Sequence, residues 1–478
     1  MSLKIFNSLG RELQEFEPII KGRVHIYVCG PTVYDYPHIG HAKSYISFDV
    51  VVRYFRYLGY KVRYVQNITD VGHLLDDGED RILKGAKREK LEPMELVERY
   101  TRAYFDAMDA LNVLRPDISP HAAGHIPEQI EWVETLLEKG YAYNVKGSVY
   151  FDISKWPGYG KLSGRKVDDQ QAGARLDVNT EKKHPADFAL WKKAEPEHIM
   201  QWKSPWGMGY PGWHLECSTM STKYLGETFD IHGGGLDNQF PHHECEIAQA
   251  EAATEKPFAR YWMHNNMVLV DGNKMSKSLG NFTTLSEALE QFSGTQIRFF
   301  ILQTHYRSPV DFTQEAVYAA AQGLSKLQNT MRVLNEALNS AQQGKAEQNI
   351  IDRVSKHRQA FEAEMNNDFN TPSAIGMLFE FSKEINKWLD QNDLSRETLS
   401  VIQQAYYSLG EDVLGILSSA EQNSMQATPF IDMLVNLRKD LREQKNWELA
   451  DWIRDNLQEN GVEIRDSKQG TRYRIKNL

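Results

Sequence analysis

Two histidines one helical turn apart, in the tetrad His38-Ile39-Gly40-His41, are the first residues whose spacing suggests chemistry. The surrounding pattern predicts a buried strand over residues 24–30 and, after the tetrad, a helix closed by Gly59. The free N–H groups and the dipole at such a helix start attract anions, and glycine lets another group approach closely. The tetrad therefore suits a nucleotide phosphate, with surface histidines at a helix start as the alternative.

A second candidate segment for phosphate chemistry is Lys274-Met275-Ser276-Lys277-Ser278, which lies far downstream of the tetrad. Its two lysines flank a serine, and turn-forming residues bound the segment on both sides. Lysines on such a loop can close over a triphosphate and follow the charge as pyrophosphate leaves. For this segment taken alone, the alternative is a solvated basic turn.

Two cysteines, a histidine and a glutamate form a candidate metal site, although they are far apart in the sequence. Cys29 ends the predicted first strand, and Cys217 follows a turn that leads into a helix. His242 and Glu246 are four residues apart on a predicted helix, so their side chains reach one point. Two thiolates, an imidazole and a carboxylate suit zinc. The alternative is two small buried cysteines and an unrelated pair near a helix start.

The elements that must position these residues are those of a parallel α/β core. Residues 24–70 predict a strand, a loop, a helix and a second strand, the order that builds a parallel sheet. Further strands are predicted at residues 228–232 and 267–270, with a helix at 241–253 between them. Cys29, at the end of the first strand, lies where α/β folds place ligand-binding groups.

Composition fits a globular protein of several domains. The chain has 478 residues, 41% hydrophobic and 25% charged, which is enough for about three domains. We find no run of about 18 apolar residues and no apolar secretory core, and expect a cytoplasmic protein without a membrane span. Three cysteines are too few for a disulfide framework. The net charge of −10 argues against indiscriminate nucleic-acid binding but allows a local basic surface.

The tetrad and the lysine segment, in this order on an α/β chain, resemble the H-I-G-H and K-M-S-K-S motifs of class I aminoacyl-tRNA synthetases. Within that class, the chain resembles the cysteinyl-tRNA synthetases over nearly its whole length. The matching runs are N-I-T-D at 67–70, D-F-A-L-W-K at 187–192, G-W-H at 212–214, F-D-I-H-G-G-G at 229–235, F-P-H-H-E at 240–244 and D-F-N-T-P at 368–372. The resemblance implies a Rossmann-like α/β catalytic domain with an insertion, a helical bundle and a small α+β C-terminal anticodon-binding domain.

In that family, cysteine and ATP condense to cysteinyl-adenylate with release of pyrophosphate, and the cysteinyl group passes to the 3′-terminal adenosine of tRNA(Cys). The resemblance implies catalytic roles for His38, His41, Lys274 and Lys277. It implies that ATP, with Mg²⁺, is bound by His38, Gly40, His41, Gly233, Gly234 and Lys277. It implies a cysteine pocket of Cys29, Thr69, Trp213, His232 and Asp237, in which Asp237 pairs the substrate ammonium. Without the resemblance, the last four residues are interpreted as capping and core residues.

The resemblance also implies one Zn²⁺ ion per chain, held by Cys29, Cys217, His242 and Glu246. Zinc binds a thiolate strongly and lowers the pKa of a thiol, whereas an alcohol stays protonated and weakly bound. A zinc ion that takes the substrate sulfur as an extra ligand therefore rejects serine without an editing site. Cys245 stands where the family leads us to expect asparagine, and its thiol could also reach the metal. We assign the fourth ligand to Glu246.

The sequence divides into five predicted regions. They are a Rossmann-like domain (1–115 and 200–255), a connective insertion (116–199), a stem-contact region with the lysine segment (256–315), a helical bundle (316–417) and an anticodon-binding domain (429–478). Within the insertion, a helix is predicted at 128–139, a short sheet at 142–153 and a polar loop at 163–177. Residues 339–349 are interpreted as a polar break between helices. The polar stretch from Ser418 to Pro429 is interpreted as a linker. After it we predict a pair of helices, at 430–444 and 447–459, and a hairpin.

The tail carries a candidate surface for unpaired bases. Trp447, Asp451 and Arg454 share one face of a predicted helix, with Arg438 and Asp466 on neighbouring elements. Arginine and aspartate can hydrogen-bond base edges while an aromatic ring stacks. An amphipathic helix with a core tryptophan is the alternative. By resemblance, this tail reads the anticodon of tRNA(Cys).

Two other functions are considered. The ligase that joins cysteine to an amino sugar shares the zinc and nucleotide motifs but lacks an anticodon domain, which this chain has. An inactive tRNA-binding paralogue is expected to lose motif residues, whereas His38, His41, Lys274 and Lys277 are all present. We therefore expect a monomeric enzyme that uses L-cysteine, ATP and tRNA(Cys).

Overall fold

The structure of the chain is a computed structural model. It describes residues 2–73, 80–165, 181–195, 198–275, 283–391, 393–417, 419–460, 462–467 and 470–475. Within the C-terminal part, the side chains of 419–429, 443, 463, 465–467 and 470–475 are not among those described.

The strands of the described residues are β1 Lys4–Asn7, β2 Glu12–Glu15, β3 Arg23–Val28, β4 Lys61–Gln66, β5 Ala142–Val145, β6 Ser148–Phe151, β7 Phe188–Lys193, β8 Trp202–Ser204, β9 Gly207–Pro211, β10 Phe229–Gly235, β11 Ala259–Asn265, β12 Val268–Val270, β13 Asn273–Lys274, β14 Val310–Asp311, β15 Val462–Ser467 and β16 Gly470–Ile475. The helices are α1 Ile39–Tyr57, α2 Arg81–Glu89, α3 Pro93–Ala110, α4 Ile126–Glu138, α5 Trp213–Leu225, α6 Glu244–Thr254, α7 Leu285–Gln291, α8 Gly294–Leu302, α9 Gln314–Ser340, α10 Gln348–Met365, α11 Thr371–Gln391, α12 Arg396–Tyr407, α13 Ser419–Glu443 and α14 Trp447–Glu459.

A four-stranded parallel sheet in the order β11-β10-β3-β4 carries the candidate residues at the carboxyl ends of its strands. The predicted unit of strand, helix and strand is confirmed as β3, α1 and β4. β10 matches the predicted strand at 228–232, and α6 the predicted helix that follows. The sequence predicted no strand at Ala259–Asn265, which is the edge strand β11. The strand predicted at 267–270 is β12, in a small separate sheet with β13 and β14.

Helix α1 begins at the tetrad because His38 caps it. The His38 ring accepts a hydrogen bond from the Gly40 backbone N–H, as N-capping requires. The helix ends as predicted before Gly59, which has a φ of 85° that glycine adopts without strain. Buried Asp49, on the inner face of α1, pairs with buried Arg298 of α8, which also donates to the Leu414 carbonyl. This pairing fixes α1 against the helices that follow the sheet.

The insertion consists of α4 and a five-stranded antiparallel sheet in the order β5-β6-β7-β9-β8. The predicted helix and the first two strands correspond to α4, β5 and β6. The sheet continues to Pro211, beyond the expected insertion boundary at residue 199. Most of the polar loop expected at 163–177 lies outside the described residues.

Helices α9 to α12 follow, and the predicted polar break at 339–349 separates α9 from α10. The chain forms two compact units, Met1–Ile416 and Leu417–Leu478. In the second unit, α13 and α14 pack through Ile431, Val435, Ile453 and Leu457. The predicted helix pair and the terminal hairpin, β15 with β16, are confirmed.

The predicted linker from Ser418 to Pro429 is wrong, because Ser419–Glu443 is one helix. Half of the residues from Ser418 to Pro429 are alanine, glutamate, glutamine or methionine, which are good helix formers. The boundary between the compact units precedes this helix. None of the helices among the described residues is long and apolar enough to cross a membrane.

Candidate active site and metal centre

One cavity of about 830 Å³ lies at the carboxyl ends of the parallel strands and brings together residues from all three candidate groups. Those that line it are Cys29, His38, Gly40, His41, Thr69, Trp213, Cys217, Gly234, Asp237, His242 and Lys274. Gly233, His232 and Glu246 are buried behind this wall, and Lys277 lies outside the described residues.

The two tetrad histidines are arranged as hydrogen-bond donors. Their rings stack with centroids 3.8 Å apart. The Nδ1 atom of His38 accepts from the Gly40 N–H at 3.1 Å, and the Nδ1 atom of His41 accepts from the His38 N–H at 3.1 Å. With both Nδ1 atoms used as acceptors, the Nε2 atom of each neutral ring carries its proton. Burial, with His38 nearby, holds the pKa of His41 well below its usual value, so its ring stays neutral.

Four predicted metal ligands converge on one buried point. Cys29 Sγ lies 3.8 Å from Cys217 Sγ, and Cys217 Sγ lies 3.5 Å from His242 Nε2. Tetrahedral zinc, with its usual bond lengths, has ligand separations of about 3.8 Å between two sulfurs and about 3.5 Å between sulfur and nitrogen. Glu246 Oε1 lies 3.7 Å from Cys29 Sγ and 2.9 Å from His242 Nε2, the latter being a hydrogen-bond length. The cluster is therefore compatible with zinc.

A second group of four shares two of these residues: Cys29, His232, His243 and Glu246. His243 Nε2 lies 3.2 Å from Cys29 Sγ, and His232 Nε2 lies 2.6 Å from Glu246 Oε2. No role was predicted for His243 from the sequence. His243 is next to His242, and adjacent residues of a regular α-helix point in different directions. Residues 239–243 are not a regular α-helix, because they form a π-type turn in which the backbone of Phe240 is extended. Both histidines are buried there.

Cys245 belongs to neither group among the described residues. Its Sγ lies 3.3 Å from the Tyr159 hydroxyl, and the side chain is buried in the core of the insertion. Burial raises the pKa of this thiol, which keeps it protonated. The thiol acts as a packing group in this structure.

Charge in the cluster favours metal binding. Burial by itself raises the pKa of Cys217, but its hydrogen bonds with Cys29 and His242 lower that pKa to about 6. Burial opposes ionisation of Glu246, yet the imidazoles of His232 and His242 hold its pKa well below the usual value. A thiolate and a carboxylate are thus available near neutral pH, in the deprotonated forms that bind a metal.

Aromatic and polar side chains surround the remaining wall of the cavity. The Trp213 ring stacks on His73 at 4.0 Å and on His242 at 4.2 Å, between ring centroids. The Thr69 hydroxyl donates to buried Glu216 at 2.8 Å. Trp213 thus forms a wall beside the metal cluster, while the Thr69 hydroxyl is held by a neighbour.

The glycine run packs tightly at the end of β10. A Cβ atom on Gly233 would lie 2.3 Å from the Phe48 ring of α1, and one on Gly234 would lie 2.7 Å from His243. Glycine at these positions lets α1 and the metal cluster approach the strand. Beyond the run, the exposed carboxylate of Asp237 pairs with Lys274 at 3.0 Å.

The tail residues differ in exposure within the second unit. Trp447 is 54% exposed, Asp451 is also exposed, and the half-buried Arg454 lies 3.1 Å from Asp451. Arg438 is buried, and the Asp466 side chain lies outside the described part. Only the first three therefore present accessible side chains among the described residues of this predicted surface.

Comparison with known proteins agrees with this arrangement. The family described as tRNA synthetases class I (C) catalytic domain matches residues 15–322, and the DALR domain matches 360–418. A solved structure of Mycobacterium tuberculosis methionyl-tRNA synthetase in complex with methionyl-adenylate shares the fold. Its TM-score is 0.58 at 15% identity, covering 82% of this chain and 91% of that one. The protein is a class I aminoacyl-tRNA synthetase.

Full-length relatives define the family further. The cysteine–tRNA ligase of Chlorobium chlorochromatii is 53% identical over 100% of both chains. That of Thermus thermophilus is 49% identical and covers 99% of this chain and 100% of its own length. The chain belongs to the cysteine–tRNA ligase family.

Proposed function

We propose that the cavity activates L-cysteine with ATP and that the enzyme transfers the cysteinyl group to the 3′-terminal adenosine of tRNA(Cys). The observation that carries this proposal is that the stacked histidines and the thiol-rich cluster line one cavity. A nucleotide phosphate and a substrate thiol can therefore be held next to each other. The amino-sugar ligase alternative is not favoured by any specific observation.

His38 and His41 donate their Nε2–H groups to the α-phosphate of ATP as charge builds up on it. Lys274 and Lys277 neutralise the departing pyrophosphate, and Mg²⁺ accompanies the nucleotide. Gly40 and Gly234, which line the cavity, allow the nucleotide to approach the backbone, and Gly233 lets α1 pack against the strand behind them.

Cys29, Cys217, His242 and Glu246 hold one zinc ion per chain. When bound, zinc supplies a Lewis-acid position that takes a thiolate in preference to an alcohol. Thr69, Trp213 and Asp237 complete the cysteine site together with Cys29. His232 lies behind the cavity wall and assists this site through Glu246, whose Oε2 atom is 2.6 Å from His232 Nε2. Trp213 shapes the pocket wall and Asp237 pairs the substrate ammonium.

The second unit serves tRNA(Cys). Trp447, Asp451 and Arg454, with Asp466, contact the anticodon, where accessible aromatic and charged groups suit unstacked bases. Arg438 is buried, so it is left out of this contact surface. The other regions keep the roles expected from the sequence. The catalytic domain comprises 1–115 and 200–255, the insertion 116–199, the stem-contact region 256–315 and the helical bundle 316–417. The enzyme works as a monomer in the cytoplasm.

ATP–pyrophosphate exchange with each amino acid in turn tests this proposal. We expect exchange with cysteine alone, and charging of tRNA(Cys) when the tRNA is added. Replacement of His41 by asparagine should abolish both, whereas His25→Asn, on β3 and outside the cavity lining, should leave both unchanged. Exchange with serine as good as with cysteine, or cysteine activation without tRNA charging, would contradict the proposal.

A further inference from the structure

The buried cluster contains more candidate ligands than one tetrahedral ion uses. We propose that it offers a metal ion two overlapping positions, an inference that rests on the proposed zinc site. The outer position has the ligands Cys29, Cys217, His242 and Glu246, and the inner position has the ligands Cys29, His232, His243 and Glu246. Since Cys29 and Glu246 are common to both, the two positions exclude each other and the chain holds one ion at a time.

The inner ligands are close enough to one another for coordination. In each group, the four ligand atoms all lie within 4.8 Å of one another. The inner pairs, Cys29 Sγ to His243 Nε2 at 3.2 Å and His232 Nε2 to Glu246 Oε2 at 2.6 Å, are hydrogen-bond lengths. Around zinc they would widen to about 3.5 Å and about 3.3 Å. This requires a movement of several tenths of an ångström.

His243 is supported in the way that metal-ligating histidines are. Its Nδ1 atom lies 2.8 Å from His264 Nε2, and His264 Nδ1 lies 2.7 Å from the Ser8 hydroxyl. A hydrogen bond at the far nitrogen fixes the tautomer and the direction of an imidazole ligand. The chain of contacts thus aims His243 Nε2 at Cys29 Sγ.

Charge favours the inner position, and ligand softness favours the outer one. With zinc, two thiolates and a carboxylate leave the outer position with a net charge of −1, whereas one thiolate and a carboxylate leave the inner position neutral. Burial of an uncompensated charge is costly. Thiolates are the better zinc donors, so the outer position gains from Cys217. These opposing preferences keep the two positions comparable in energy.

The two positions differ in access to the cavity. Cys29, Cys217 and His242 line it, whereas His232 and His243 do not. An ion in the outer position is therefore next to the space where a substrate thiol would bind, and an ion in the inner position is behind the wall. The inner position retains the metal without presenting it to the substrate.

The test removes both ligands that belong only to the outer position. In the double variant Cys217→Ser/His242→Asn, we expect about one Co²⁺ or Zn²⁺ per chain by elemental analysis after metal loading. Sulfur-to-cobalt absorption should be that of a single thiolate, and lower than that of the wild type, in which an ion in the outer position contacts two thiolates. Addition of His243→Asn should then release the ion. Loss of the ion from the double variant would overturn the inner position and leave His232 and His243 as hydrogen-bonding partners only.

The single variant His242→Asn keeps the proposal testable if the double variant does not fold. An ion that moves inward contacts one thiolate, whereas an ion that stays outside keeps two, and the cobalt spectrum separates these results. Two thiolates, or no ion, would contradict the proposal. Cys245→Ser is the matched control and should leave metal content and spectrum unchanged, because its thiol faces Tyr159. A wild-type protein that binds no ion would instead refute the proposed zinc site itself.

Discussion

The carboxylate of Asp237 lies 3.0 Å from the ammonium group of Lys274. Both residues line the cavity, and both side chains are more than half exposed. The carboxylate proposed to bind the substrate ammonium is thus already paired with an ammonium. Cysteine binding and release of Lys274 should therefore occur together, which frees the lysine for the phosphates.

Replacement of Asp237 by asparagine tests this link. The variant loses the charge that attracts the substrate ammonium, so KM for cysteine in pyrophosphate exchange should rise about tenfold or more, which is about 1.4 kcal/mol. KM for ATP should change less. The control is Glu227→Gln, which removes an exposed pair with Lys256 away from the cavity. An unchanged KM for cysteine would mean that Asp237 serves only the lysine.

Gly233 should tolerate no side chain because α1 packs directly on it. The added methyl group of Gly233→Ala would overlap the Phe48 ring, and overpacking of this kind costs about 1–3 kcal/mol. Urea unfolding should show this loss, and Phe48→Leu in the same chain should recover part of it. Gly235→Ala is the control, since nothing lies within 4 Å of its added Cβ. Equal stability of the two alanine variants would contradict this packing argument.

Strong local patterns made the centre of the fold predictable. β3 and α1 have apolar residues at the spacing of their elements, and the tetrad lies where α1 begins. β11 was missed because Ala259–Asn265 contains arginine and histidine and does not alternate. Its burial comes from pairing with β10. Tertiary contacts define that strand, and local sequence does not show them.

The candidate site was predictable where residue type decided the chemistry. Cys29, Cys217, His242 and Glu246 do converge in space. His243 was overlooked because the π-type turn before α6 breaks helical periodicity and faces both adjacent histidines inward. The supposed linker after Ser418 failed for the opposite reason, since polar helix formers continue a helix where composition suggested a flexible segment.

Cys29 is common to both proposed metal positions, so Cys29→Ser should lose the ion entirely. We expect less than a tenth of the wild-type zinc by elemental analysis, and a KM for cysteine that rises far more than the KM for ATP. Cys245→Ser should retain both metal and activity, because that thiol packs against Tyr159. Full zinc content in the Cys29 variant would exclude this cluster as the metal site.

Lys43 should make stability depend on pH. Burial lowers the pKa of this lysine to about 8, and its Nζ donates to the Ser308 carbonyl. The unfolded value is about 10.4, so between about pH 8 and pH 10.4 the unfolded chain binds more protons and stability rises with pH. Below pH 8 both states are protonated, and the cost of burying the charge is fully present.

Lys43→Met removes this titration. From pH 7 to pH 10.5, the free energy of unfolding of the wild type should gain up to about 3 kcal/mol from Lys43, because the buried lysine loses its charge. The variant lacks this gain, so its free energy of unfolding should fall by the same amount relative to the wild type. Urea unfolding at several pH values measures this difference. Lys256→Met, at an exposed lysine, should show no such trend. A constant difference between wild type and the Lys43 variant would contradict the lowered pKa.

Removal of the second unit should separate cysteine activation from tRNA use. The cavity and the metal cluster belong to the unit Met1–Ile416, which has its own core, and α13 begins immediately after it. A chain ending at Leu417 cuts before this helix, so it should fold and keep cysteine-dependent pyrophosphate exchange within about twofold of the full chain. Charging of tRNA(Cys) should fall by two orders of magnitude or more if the second unit supplies base contacts worth about 1–3 kcal/mol each. In the full chain, Asp451→Ala should reproduce part of that loss without affecting exchange. If the shortened chain charged tRNA(Cys) as well as the full chain, the second unit would have no part in tRNA recognition.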